Sequence, residues 1–198
     1  METVTVIGRE HIRKSIDYAR FEEMMQHWVE NKSTSGPNQS ESMAHYTKLN
    51  WSRMRRLDKQ SKINTSLAKK VEAIEGKQVW LVLVEGWCGD VAQNLPVIQK
   101  MVELNPNIEL RMIFRDENLD VMDAYLTNGG RSIPKLIAMD ADSLEELWTW
   151  GPRPAPVQEM VEEYKKTGGP YSEFSEKVQK WYNGDKTQTL QNEFEALI

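Results

Sequence analysis

The chain has 198 residues, room for one sizeable domain with substantial additions or for two small ones. Hydrophobic residues at 39% and charged residues at 28% suit a globular protein rather than a disordered or membrane-embedded chain. The net charge of −5 is unevenly spread: residues 1–77 hold 14 Lys+Arg against 10 Asp+Glu, and the remainder holds 11 against 20.

Residues 1–9 place no basic segment before an apolar run, so no secretory signal is read there and a cytoplasmic location is expected. The longest apolar run, residues 79–84, is too short to cross a bilayer, and no membrane partner is expected. Tyr18, Phe21, Met24, Met25 and Trp28 recur at helical spacing. A polar Ser/Gly/Pro connector follows at 31–39. Met43, Tyr46, Met54 and Leu57 predict a second helix, and Ile63, Leu67, Val71 and Ile74 a third, ended by Gly76. The cations Arg53, Arg55, Arg56, Lys59, Lys62, Lys69 and Lys70 fall on these helices. They read as a solvated face rather than a nucleic-acid patch, so nucleic acid is not expected as a partner.

Strand and helix then alternate. The run 79–84 predicts a central strand buried on both faces. Val91, Leu95, Ile98, Met101 and Val102 give a helix over 91–102. Ile108, Leu110, Met112 and Phe114 alternate with charged residues as a strand does. Residues 118–126 form a short helix stopped by Gly129-Gly130. Residues 135–139 and 144–150 predict two strands about an Asp140-Ala141-Asp142-Ser143 turn. A helix over 156–166 stops at Gly168-Gly169-Pro170. Two tail helices carry Phe174, Val178 and Trp181, then Leu190, Phe194 and Leu197, with a turn at Asn183-Gly184-Asp185 between them.

The one cysteine, Cys88, excludes an intramolecular disulfide and a Cys-rich zinc site. It lies in Trp87-Cys88-Gly89-Asp90, between the central strand and the next helix. A cysteine at a helix start meets unpaired N–H groups and the positive end of the macrodipole, which favour the nucleophilic thiolate. Pro96 lies inside that helix, Arg131-Ser132-Ile133-Pro134 precedes a strand, and Gly151 follows the last one. All three histidines, His11, His27 and His45, sit in the N-terminal helices, so a Cys–His hydrolase is unsupported.

Together these residues resemble the thioredoxin superfamily, with a degenerate Cys-Gly-Asp-Val active site. The resemblance implies an α/β, thioredoxin-like fold, a central mixed sheet flanked by helices, with N-terminal and C-terminal helical extensions. The expected division is 1–76, N-terminal extension; 77–167, thioredoxin-like domain; and 168–198, helical tail. It implies Cys88 as the catalytic residue and Trp87, Gly89, Asp90, Ile133 and Pro134 as substrate contacts. Pro134, if cis, would aim the backbone of Ile133 at an extended peptide docked as an added strand.

Three departures bear on chemistry. Val91 stands where dithiol members keep a resolving cysteine, so a mixed disulfide at Cys88 needs an outside thiol. Val82 stands where many members keep a buried acid, with Glu85 the nearest carboxylate to replace it. Asp90 adds a negative charge that opposes thiolate formation. Two functions follow. One is monothiol thiol–disulfide exchange on a protein disulfide or mixed disulfide, with no cofactor beyond an external low-molecular-weight thiol. The other is a non-catalytic binding module or redox sensor that holds a protein partner in the cis-proline groove. Cluster sharing, as in monothiol glutaredoxins, is a more distant reading, since only Cys-Gly of their Cys-Gly-Phe-Ser motif is present.

Overall fold

The computed structural model describes residues 6–198, so the first five residues of the segment read for a signal lie outside it. Four helices come first. Helix α1 (Arg9–Lys14) is too short to show a period in the sequence. Helix α2 (Tyr18–Glu30) starts from Asp17, whose carboxylate accepts from the Arg20 N–H at 2.8 Å, and buries Tyr18, Phe21 and Met25. Helix α3 (Glu41–Gln60) is capped by Ser40 and buries Thr47, Asn50, Met54 and Leu57. Helix α4 (Thr65–Glu72) buries Leu67 and Val71.

The sheet is built around β1 (Gln78–Val84), buried from Val79 to Val84 as the unbroken apolar run predicts. Helix α5 (Gly89–Val102) carries the chain to β2 (Ile108–Phe114), parallel to β1. Helix α6 (Leu119–Ala124) leads to β3 (Lys135–Asp140), antiparallel to β1, and β4 (Glu146–Trp150) pairs with β3. The order is β2-β1-β3-β4, the mixed sheet flanked by helices that the motifs imply. Ala138 lies in register between Trp80 and Trp148. Its small side chain lets the two indoles meet edge to face with centroids 4.9 Å apart. The strand expected from Leu144 begins at Glu146, because Leu144 takes a left-handed φ of 61° and turns its side chain inward.

Helix α7 (Ala155–Thr167), α8 (Tyr171–Asp185) and α9 (Gln188–Leu197) complete the chain. Phe194 of α9 joins the Trp80–Trp148 pair at 5.8 and 5.6 Å. The turn expected at Asn183-Gly184-Asp185 is instead the last turn of α8. Arg56 and Gln179 both donate to Asn183 Oδ1, fixing that turn as helix. The chain reverses at Lys186 and Thr187, both at positive φ, and Asp185 accepts from the Thr189 N–H. Among the described residues, no helix is long and apolar enough to cross a membrane.

The N-terminal helices share the sheet's core. Within that contact, Tyr18 donates to Asp58 Oδ1 at 2.9 Å, while Asp58 Oδ2 is buried without a partner. Burial raises the Asp58 pKa, so the folded state prefers the protonated acid. That contribution is complete below the unfolded value, near pH 4, and is lost as the pH rises through the folded one. Asp58→Asn stays neutral and still accepts from Tyr18, so it should raise the thermal midpoint at neutral pH and leave it unchanged near about pH 3. Melting curves across that range check this; equal gains at both ends would rule out charge burial as the cause.

Candidate functional site

Cys88 is the N-cap of α5, with φ −82° and ψ 118°. Its thiol donates to the Ile133 carbonyl at 3.4 Å and is 8% exposed. The Ile133–Pro134 peptide is cis. Burial, then the Asp90 carboxylate, push the thiol up to about 12. The N–H groups of Val91 and Asp90 and the Arg153 guanidinium pull the other way and lose. The loss has a simple reason: helix-terminus stabilisation is worth on the order of 1 kcal/mol, less than the cost of placing an anion in so buried a position. At neutral pH the group is a thiol. Val91, three residues on, is 1% exposed.

The loop before the cysteine is clasped by the N-terminal helices. A side chain at Gly86 would meet the Trp28 ring and the Met25 sulfur at 3.0–3.1 Å, so any larger residue requires them to give by a few tenths of an ångström. Asn50 of α3 donates to the Gly86 carbonyl at 3.1 Å, and Arg53 donates to Asn50 at 2.8 Å. Ser35, from the polar Ser/Gly/Pro connector, is 5% exposed: it donates to Glu85 and accepts from the Gly86 N–H at 2.8 Å. Glu85 also accepts from the Asp116 N–H at 3.0 Å, and burial raises its pKa. Its carboxylate is thus spent on joining the connector to the end of β2. The Cys88 thiol is hydrogen-bonded to Ile133, not to Glu85.

Asp90 is held by three groups. Arg153 donates to Oδ2 at 2.8 Å, Tyr182 donates to Oδ1 at 2.6 Å, and Asn94 donates to the Asp90 carbonyl at 2.8 Å. Tyr182 belongs to α8, so this network fastens the tail to the cysteine loop. Trp87 lies under the Arg115 guanidinium, 4.8 Å from the ring centroid.

The sequence-selected residues therefore divide. Trp87, Gly89 and Asp90 line a cavity of about 450 Å³ between α3, α7 and α8. Ile133 and Pro134 are buried and do not line it. Cys88 does not line it, and its thiol rests on the Ile133 carbonyl. Of the flanking cations, Arg131 pairs with Asp123 at 2.6 Å, and Lys135 is buried with its ammonium on the Gly151 carbonyl at 3.1 Å. Ser35, Asn50, Arg153 and Tyr182 complete the site without having been singled out, and Arg53, read as one cation of a solvated face, is half-buried on Asn50 instead. One signal did exist: Asn50 occupies the stripe position between Tyr46 and Met54, where an apolar residue is expected.

A family model described as thioredoxin matches residues 36–165. Among solved structures, the chain is similar to a protein of unknown function from Pseudomonas aeruginosa, at 22% identity over 96% of this chain and 95% of that one, with a TM-score of 0.63. It is also similar to an HIV epitope-scaffold protein, at 20% identity over 92% and 97% of the two chains, with a TM-score of 0.54. Both likenesses are of fold. No curated protein matches.

Proposed function

The chain belongs to the thioredoxin family, and from that premise we propose that it is a binding module in which Cys88 rests as a closed, protonated thiol. The observation that carries this reading is the state of the sulfur: 8% exposed, hydrogen-bonded to Ile133, and raised to about 12 by burial and Asp90. A nucleophile for disulfide exchange needs an accessible thiolate, and its resolving partner here is replaced by a buried valine. With Ile133 and Pro134 covered, the binding face falls to the cavity beside Trp87, Gly89 and Asp90 rather than to the cis-proline edge.

Monothiol exchange, completed by an external thiol, has one observation in its favour. The Val91 and Asp90 N–H groups and Arg153 already face the sulfur and would favour its thiolate once water reached it. Alkylation of Cys88 by iodoacetamide separates the two. In the binding module, the native rate at pH 8 should be at least about 100-fold below that of the unfolded chain. It should also keep climbing with pH toward about 12 rather than level off near the ordinary thiol value. A native rate equal to or above the unfolded one would hand the site to exchange chemistry.

A further inference from the structure

We propose that the cavity over Trp87, Gly89 and Asp90 binds a small organic carboxylate with an apolar body, its carboxylate taken by Arg53 with the hydroxyls of Tyr46 and Tyr171. This rests on the binding-module reading and names its ligand class.

Charge selects the anion. Two arginines line the cavity, Arg53 and Arg153, with one carboxylate, Asp90, between them. Arg153 takes that carboxylate at 2.8 Å, and Lys165 pairs with Glu162 at 3.1 Å. Arg53 makes its hydrogen bond to Asn50 and forms no ion pair among the described residues. Half-burial, then the neighbouring Arg56, pull its pKa down, and Asp90 opposes them from a distance without an ion pair. Tyr46 and Tyr171 lie close enough to influence it electrostatically, and neither hydroxyl bonds to a protein group among the described residues. With Asp90 bonded directly to Arg153, one guanidinium without an ion pair is left, and it suits a monoanion. A phosphate monoester, carrying nearly two charges at neutral pH, would leave one unmatched.

Shape selects the body. Tyr164 and Phe174, stacked face to face at 4.3 Å, line the cavity together with Trp87. A volume of about 450 Å³ is in the range of small-molecule sites, which are mostly apolar with a few placed polar groups. A guanidinium fork takes a carboxylate by two parallel hydrogen bonds, fixing one end while the rings take the other.

The test is isothermal titration of the full chain with 3-phenylpropionate and octanoate, each beside its neutral alcohol. Both acids should bind, the alcohols at least about tenfold more weakly, a difference of about 1.4 kcal/mol. Arg53→Gln should cost the acids about tenfold and leave the alcohols unchanged. Tyr171→Phe, at a side chain 55% exposed and harmless to folding, should weaken the acids alone. Alcohols binding as tightly as acids, an Arg53→Gln variant with unchanged affinity, or no binding by any probe would overturn the assignment. Failure here with slow Cys88 alkylation removes only the ligand class. Rapid alkylation removes the binding-module reading whatever the acids do.

Discussion

Replacing Gly151 with alanine should destabilise the protein by about 3–5 kcal/mol, the largest loss from any single methyl added near the site. Two independent reasons add. Gly151 has φ +111°, a conformation that a residue with a Cβ adopts only under strain. The added methyl would also fall on the Pro134 carbonyl oxygen, far inside contact distance, and that oxygen is backbone that cannot swing aside. Pro134 follows Ile133, whose carbonyl receives the Cys88 thiol, so the displacement reaches the sulfur. Gly129→Ala is the control: its φ is +76° but nothing lies within 4 Å of a new Cβ, so only strain of about 1 kcal/mol applies. Urea unfolding of both variants gives the comparison. Equal losses would mean that strain alone acts and that Gly151 is not wedged against the cysteine's support.

What could be read in the sequence was what neighbours along the chain determine. The apolar run of β1, the alternation of β2 and the stripe of α5 are periodic and local, and they lead to the sheet. Trp87-Cys88-Gly89 and Ile133-Pro134 are short motifs whose meeting follows once that sheet exists. The accessibility of Cys88 was not legible, because it depends on segments remote in sequence. Asn50 lies 36 residues from the carbonyl it serves at Gly86, and Tyr182 lies 92 from Asp90. Ser35 sits in a polar Ser/Gly/Pro connector, yet it is buried and its hydroxyl bonds Glu85 and Gly86, about fifty residues away. Polar residues that become buried only through a distant partner carry no period to detect. Arg153 is similar: flanked by Pro152 and Pro154, it reads as a loop cation until Asp90 is placed beside it.

Asp90 and Arg153 should have opposite effects on Cys88, and that opposition is the sharpest test of what closes the thiol. Both side chains are largely buried, at 16% and 12% exposure, so removing either leaves an uncompensated charge. Asp90→Ala should therefore cost about 3–5 kcal/mol, since Arg153 would keep only Gln158 and α8 would lose the Tyr182 hydrogen bond. Asp90→Asn is the milder probe, because its amide oxygen still accepts from Arg153 or Tyr182 while the negative charge is gone. With the carboxylate removed and Arg153 kept, the thiol should titrate lower, and native alkylation at pH 8 should rise by about tenfold or more. Arg153→Gln removes the cation and keeps the carboxylate, so the thiol is pushed higher and alkylation slows. Loosening of the fold would speed both variants alike, so the sign of the Arg153→Gln change separates electrostatics from opening. If both accelerate, the Asp90 network closes the site by fastening α8 mechanically, and its charge has no say in the state of Cys88.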